Sequence, residues 1–547
     1  MRRLPIVLPL IGYLAVSVAL FSHGITTGNI FQPGTDPIAY IWFLKWWPYA
    51  ISHGINPFLT HALWSPVGFS VLWANSIPTL AILMWPVTTL ASAETSWSLL
   101  CLAAPALNAY AAFLLIRYLV KDWRAAAVGG FLFGFSPYIS SHMLGHISLT
   151  VVALVPLIAL VSVRRAKLEI DRPSFVATLS LLVLLQFGIS MEILATSALF
   201  GTVAYVAFYR SMRTSLDLKG LAIDTLISAA ICVVLLSPAF YFLWLGSNQL
   251  PKIINNPIVF SNDVLGFLVP MQTVWLGGDA LANFTRHFSA TASEQNAYLG
   301  LPLIAVAIIA VRASRHEAWQ RPLGWTTLIA AVTSLGPIVW IAGHHFKVPL
   351  PGIIPMFLPL LKHALPSRFA LYTSLGVAIF VSAWLARSPS RSKYAAAALC
   401  AVFILPNPGA FSFVSHKTPS VFSDPVSVDR LNQRGAVIVL PYGRAGNSVL
   451  WQLRADFGFE MAGGYVGFTP KAFEAWPAID YFSAMNLPVP QPDFKANVLA
   501  FCIAHGVGSI VAESGTPAPL IDQLHALNWP TRRVGDAEVI DVPLSPQ

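Results

Sequence analysis

Charge is scarce in this sequence: Asp, Glu, Lys and Arg together make up 10% of 547 residues, where a soluble domain carries ~25%. That scarcity excludes an ordinary water-soluble globule and a charged disordered chain. Cysteine is scarcer still, at 4 residues. Cys101, Cys232 and Cys400 lie in apolar runs and Cys502 stands alone, with no pairing or metal-type spacing, so no disulfide framework or thiolate metal site can be read from them. No block of five or more Lys/Arg occurs, and the net charge of +9 therefore implies no nucleic-acid partner. Internal repeats, low-complexity tracts and a glycine-rich nucleotide loop are also missing.

Apolar side chains fill the space that charge leaves. They make up 56% of the chain, and the mean hydropathy is +0.66. Apolar stretches of about 20 residues recur, the length that crosses a hydrocarbon layer as a helix. The fold class read from this is a polytopic α-helical membrane protein. Spans are expected at 4–22, 96–119, 125–139, 146–163, 174–189, 191–209, 221–245, 298–312, 323–343, 368–386 and 394–413, about 11 in all. The opening "MRRLPIVLPLIGYLAVSVALF" has the basic start and apolar core of a signal peptide. Its apolar run is as long as a full span and no small-residue cleavage site follows, so we read it as a retained helix.

The connecting segments orient the chain. Arg2 and Arg3, Arg117, Lys121 and Arg124, Arg164, Arg165, Lys167 and Arg172, Arg210, Arg213 and Lys219, Arg312, Arg315 and Arg321, and Arg387, Arg391 and Lys393 all fall on one side of this threading. The positive-inside rule makes that side cytoplasmic. The opposite loops carry only scattered cations such as Lys45, Lys252 and Lys347. An integral membrane location follows, with a cytoplasmic N-terminus.

Residues 61–92 are apolar, yet counting them as one span would reverse every later loop. Pro66, Pro78, Pro86 and Gly68 break the pattern, and a re-entrant or interfacial pair of helices is expected instead. Residues 23–95 then form a long first outer loop of a membrane domain over 1–413, its Trp and Tyr suited to the lipid interface. After about residue 413 the pattern shifts. "RGAVIVLPYGR", "HGVGSIVAES" and "DAEVIDVP" read as strands and "PLIDQLHALNW" as an amphipathic helix, predicting an extracytoplasmic α/β domain over 414–547.

One acid stands out. In "GTDPIAYIWFLKWWPYAISHGINPF", residues 34–58, Asp36 opens an aromatic run directly after the first span. Thr35-Asp36-Pro37 suits a helix N-cap. The other reading is a general base or metal ligand facing a cavity, and the two are compatible.

The stretch after a first span, the many spans and the outer soluble domain together resemble the C-type glycosyltransferase (GT-C) superfamily of integral membrane enzymes. The resemblance covers about residues 1–413. It implies transfer of a hexosyl or pentosyl unit from a polyprenyl-phosphate sugar donor to a cell-envelope glycan, lipid or protein acceptor on the outer face, with Asp36 as general base. The alternatives are a non-catalytic protein that binds lipid-linked glycan, and a transporter or flippase of envelope precursors. Transporters with midplane sites usually show repeats, which this chain lacks.

Four further groups are candidates for holding donor or substrate. His142 and His146, in "SPYISSHMLGHIS", are spaced to share a helical face. Related enzymes carry an acid near there, so histidine argues against a carboxylate-bound divalent cation, Mg or Mn, the one cofactor such a site would take. Glu192 sits in a tight outer turn, "GISME", beside Gln186. Asp263 and Glu294, in the outer loop 246–297, read as a helix cap and an interfacial carboxylate. Lys362 and Arg368 cluster at the outer end of the tenth span, and the resemblance implies that such cations grip the lipid phosphate. "GRAGN" at 443–447 follows a strand and reads as a turn or a ligand loop. Donor, acceptor and membrane lipids are the partners implied, and no nucleic acid.

Overall fold

A computed structural model describes residues 4–25, 29–245, 255–358, 361–484 and 491–543. The expected cations Arg2, Arg3 and Lys252, and positions 246–254 of the outer loop, lie outside them. The chain divides into two compact units. One comprises Met1–Thr27, Ser98–Leu236 and Asn255–Phe413, the other Gly28–Trp97, Ser237–Ile254 and Val414–Gln547. Most of the long loop that the sequence assigns to the membrane domain therefore packs with the C-terminal segment.

The first unit is helical. Five helices among the described residues are long and apolar enough to cross a membrane: Ala93–Val120, Ile147–Ala166, Met191–Met212, Leu218–Leu235 and Pro366–Arg387. Shorter apolar helices include Arg172–Phe187 and Gly300–Ala313. The few acids do local work at helix starts. Asp122 accepts from the backbone N–H groups of Arg124 and Ala125, Asp171 caps Arg172–Phe187 by accepting from Ser174 N, and Asp217 caps Leu218–Leu235 by accepting from Gly220 N, which satisfies donors that no helix can pair internally. Two expected spans end early. The helix Gln320–Ser334 stops before Gly336 (φ 81°) and Pro337, and the chain then turns into a hairpin, Ile338–Ile341 against His344–Pro349. The helix Arg391–Phe403 stops ahead of Pro406 and Pro408.

Small residues let these helices approach closely. A Cβ added at Gly129 or Gly130 would strike Ser382 and Ile116, or the Tyr13 hydroxyl and the Ala109 carbonyl. The helix Trp123–Gly134 therefore nests against its neighbours through a glycine face, the arrangement that favours helix association where lipid supplies no hydrophobic drive. At another seam, the fully buried Asp224 accepts from Arg165 Nε at 2.7 Å and Arg172 Nε at 2.6 Å. Two of the cations that orient the chain in the sequence thus also clamp three helices.

The second unit is built on a four-stranded sheet in the order Ala436–Leu440, Val507–Ala512, Ala537–Asp541, Thr531–Val534. The first pair is parallel and the rest antiparallel. The first two strands are buried along their whole length, as the continuous apolar runs require. The edge strand Thr531–Val534 escapes the sequence pattern because it is short and polar.

The helix Thr35–Ser52 belongs to this unit and is mostly buried. Its Trp42 Nε1 donates to Gln452 Oε1 at 3.0 Å, and Trp46 and Trp47 donate to the Pro57 and Ser76 carbonyls. The rings expected at a lipid interface are core. Each is 0–4% exposed, with its one polar atom satisfied. Residues 61–92 hold a short 3₁₀ helix, Val71–Ala74, and one α-helix, Pro78–Leu90. Before it the chain makes a two-residue strand pairing, Leu59–Thr60 with Phe69–Ser70, closed at Gly68 (φ 67°), where a side chain would meet the Thr60 carbonyl.

Candidate functional site

In the helical unit, three chain segments converge on one guanidinium. Arg368 lies in a short 3₁₀ turn, Pro366–Phe369, that leads into the helix Ala370–Arg387. Glu192 lies on the first turn of the helix Met191–Met212, whose N-cap, Ser190, accepts from Ile193 N. Glu294 precedes the helix Gly300–Ala313. Arg368 Nε donates to both Glu294 oxygens at 3.1 Å, Nη2 donates to Glu294 Oε1 at 2.5 Å, and Nη1 donates to Glu192 Oε2. The side chains of Arg368, Glu192 and Glu294 are 12%, 19% and 2% exposed. Five N–H groups minus these three donor positions leave one hydrogen on each terminal nitrogen of Arg368.

A shell of neutral groups fixes the trio. Ser367 Oγ donates to Glu294 Oε2 at 3.0 Å, and Leu365 N donates to Glu192 Oε1. Asn262, fully buried, donates from Nδ2 to the Ser367 carbonyl and accepts from Asn296 N, tying the Arg368 turn to the Glu294 segment. Asp263 caps the turn at Leu265 and accepts from the Ala342 and Gly343 N–H groups, which fulfils its expected capping role and extends it. The Tyr372 hydroxyl bonds Thr196 and Ser197, holding the two site helices together.

Burial alone would raise the Glu294 carboxyl. The charge and hydrogen bonds of Arg368 outweigh burial and hold it down at about 2, so Glu294 is ionised at neutral pH. His142 is fully buried with Nε2 3.8 Å from Glu294, too far for a hydrogen bond. Desolvation takes its imidazole down to about 3 despite that neighbour. The ring is neutral, with Nδ1 donating to the Tyr138 carbonyl at 2.8 Å. This contact is dipolar, and His142 offers a phosphate no cation. His146 does not share a helical face with it. Its partner's helix ends at Met143, Gly145 takes φ 152°, and His146 begins the next turn, leaving the ring centroids 5.9 Å apart.

Lys362 stands on the exposed 3₁₀ turn Leu361–His363 and makes no ion pair with another described residue. Of the cations placed near this end, it alone keeps its charge unopposed. Arg368, by contrast, faces two carboxylates. Among the described residues no group of three or more His, Cys, Asp or Glu is arranged to hold a metal ion.

In the second unit, Asp36 is half-buried on the first turn of the helix Thr35–Ser52. It does not serve as N-cap. Gly34 holds that position, and Asp36 sits on the first turn, where the helix dipole favours a carboxylate. Next to it, Thr35 Oγ1 donates to the Arg444 carbonyl at 3.4 Å, and the Arg444 guanidinium lies over the Tyr465 ring, 5.4 Å from its centroid. Burial pushes the Tyr465 hydroxyl up, Arg444 pulls it down and the charge of Asp36 pushes it up again, which marks Asp36 as an electrostatic neighbour of that ring.

The sequence singles out Glu192 and Arg368 without linking them, and it misses Asn262, Ser367 and Tyr372 altogether. Uncharged residues in loops carry no periodicity, so only an unusual density of Asn and Ser beside "SND" and "SEQN" could have flagged them.

A family model described as a domain of unknown function (DUF6311) matches residues 11–405, and the chain belongs to that family. No curated protein matches. Solved structures do. A cryo-EM structure of the arabinofuranosyltransferase AftD from mycobacteria is similar over 99% of this chain, at 13% identity and a TM-score of 0.59. The chain spans 40% of the length of that protein. The Archaeoglobus fulgidus oligosaccharyltransferase, tethered to an acceptor peptide containing the NVT sequon, is similar over 93% of this chain and 69% of its own, at 13% identity and a TM-score of 0.51. The chain shares the fold of these two proteins.

Proposed function

We propose that this DUF6311 protein is a membrane glycosyltransferase that moves a sugar from a polyprenyl-phosphate donor to a cell-envelope acceptor on the outer face of a bacterial inner membrane. The reading is supported most by one conjunction. Nearly the whole chain has the fold of sugar-transferring enzymes, and a half-buried carboxylate opens the helix Thr35–Ser52. Asp36 takes the proton from an acceptor hydroxyl as its oxygen bonds to the anomeric carbon. The bond from that carbon to the phosphate oxygen breaks and the lipid phosphate leaves with the electron pair. Positioned base catalysis of this kind contributes about 10²–10⁴-fold.

Within the helical unit, Lys362, with no ion pair among the described residues, and the two remaining N–H groups of Arg368, with His146, are suited to bind a lipid phosphate. Glu192 and Glu294 aim the guanidinium, and His142 packs behind them as a neutral ring. These residues do not fit a divalent cation. Glu192 and Glu294 are both engaged by one guanidinium, which leaves this cluster few free oxygen ligands for a hard cation. The transfer is derived without a metal.

Membranes containing the protein, incubated with labelled polyprenyl-phosphate sugars, test this. Transfer should appear and should fall at least ~100-fold in Asp36→Asn while a surface variant such as Arg430→Gln keeps it. Unchanged transfer in Asp36→Asn removes the base, and absence of transfer with every donor leaves the glycan-binding alternative.

A further inference from the structure

The turn Tyr442–Asn447, at the C-terminal end of the strand Ala436–Leu440, is braced on all sides yet presents one bare charge. Gly443 takes φ 58°, a conformation that suits glycine, and Gly446 lies so close to the Pro441 carbonyl that a Cβ would collide with it. The Tyr442 hydroxyl, buried, donates to the Ala462 carbonyl at 3.1 Å and so locks this turn to the segment that carries Tyr465. That segment is itself pinned between two others. Val437 N donates to Glu460 O, Ala462 N to Val437 O, Met461 N to Ala62 O, and Trp64 N to Gly463 O, all within 3.1 Å. The Tyr465 hydroxyl donates to Gly467 O at 3.0 Å, which fixes the ring plane.

Arg444 rests on that ring. It is exposed and pairs with no carboxylate among the described residues, in a unit where Arg434 and Arg454 each have one. That cation–π contact restrains the guanidinium, and its exposure leaves donors open to a ligand. Its own backbone carbonyl touches Thr35, the residue before Asp36.

We infer that Arg444, seated on Tyr465, is an acceptor-recognition residue, and that the acceptor carries an anionic group, a carboxylate or a phosphate, close to the hydroxyl that reacts. A planar fork of donors matches either anion in a bidentate way and matches a neutral sugar hydroxyl less well. The inference rests on the glycosyltransferase reading, in which Asp36 takes the proton of that hydroxyl. Arg444 is then the specificity residue of the reaction, and Tyr465 positions it.

The test reads Arg444 itself. The purified full-length protein in detergent is treated with phenylglyoxal, and modification of Arg444 is followed by peptide mass spectrometry. Arg430, exposed in the same unit, serves as internal reference. Methyl glucuronide, glucose 1-phosphate and neutral methyl glucoside are added separately at millimolar concentration. We expect at least one charged probe to slow modification of Arg444 by at least about twofold, the protection given by half-occupancy, with Arg430 and the methyl glucoside sample unaffected. Protection by glucuronide alone assigns a carboxylate, and protection by the sugar phosphate alone assigns a phosphate. Tyr465→Ala should abolish the protection. Equal protection by methyl glucoside, or none by either charged probe, overturns the inference.

Asp36→Asn separates this from the transfer reading. If protection persists in that variant and transfer is also unchanged, the base assignment fails while anion recognition stands. If transfer needs Asp36 and no charged probe protects Arg444, the acceptor inference fails alone.

Discussion

Replacing Arg368 by Met removes the charge that two carboxylates share while keeping much of the side-chain volume. Glu294 then remains 2% exposed with an ionised group and only Ser367 Oγ as a donor from this cluster. Its displacement from an ordinary 4.5 to about 2 corresponds to roughly 3 kcal/mol of stabilisation by its surroundings. Breaking one partner out of a buried pair costs about 3–5 kcal/mol, and the two figures agree. The sign with pH follows from the depressed carboxyl. The stabilisation is complete above the unfolded value near 4.5 and is lost as pH falls through about 2. In Arg368→Met the same carboxyl loses its cation and protonates at higher pH, so the deficit relative to the parent is largest near neutrality and shrinks toward pH 4. Equilibrium unfolding of the detergent-solubilised protein, titrated with SDS and followed by tryptophan fluorescence, measures it. Arg368→Met/Glu294→Gln should recover at least ~2 kcal/mol of the loss, because the stranded charge is gone. A single variant within ~1 kcal/mol of the parent, or a double variant worse than the single, would refute the picture of a buried compensated trio.

Other outcomes follow from the same reasoning. Burial pushes the Glu513 carboxyl up to about 7, against the hydrogen bond from Trp451 Nε1, which lowers it; the raised value means stability present below about 4.5 is lost as pH rises to about 7, and Glu513→Gln should flatten the unfolding midpoint over that window. Asp224→Asn takes from Arg165 its buried carboxylate and leaves it the part-exposed Asp217, and should cost about 1–3 kcal/mol in the same SDS titration, more than substitution of the half-exposed Arg172. Gly130→Leu drives a side chain into Tyr13 and the Ala109 carbonyl and should cost at least ~2 kcal/mol or abolish purification of folded protein. Gln452→Leu leaves the Trp42 indole N–H buried without its acceptor and should lower stability by about 1–3 kcal/mol, which Gln452→Leu/Trp42→Phe should partly restore.

The membrane helices were legible because their cause is local. An apolar run of span length forms a helix wherever it sits, and its ends follow from nearby Pro, Gly and Asp. The expected span 323–343 shows the limit. Hydropathy continues through "PIVWIAG", but Gly336 and Pro337 end the helix and pairing with His344–Pro349 turns the rest into a strand. The aromatic helix Thr35–Ser52 was misread in kind. A run of Trp, Tyr and Phe looks the same whether it faces lipid or a protein core, and only the partners, Gln452 and the Pro57 and Ser76 carbonyls, decide it.

By itself the sequence determined the class of solvent, the positions of the helices, the strands Ala436–Leu440, Val507–Ala512 and Ala537–Asp541, and the small set of ionisable residues from which any site must be drawn. Those properties depend on composition and on neighbours a few residues apart. Tertiary structure alone decided how the charges are spent: Arg368 is divided between Glu192 and Glu294, His142 is kept neutral by burial, and Arg444 is left bare on Tyr465. The partners of Arg368 lie 176 and 74 residues away. Electrostatic energy depends on distance and dielectric in space, and neither quantity exists until the chain has folded.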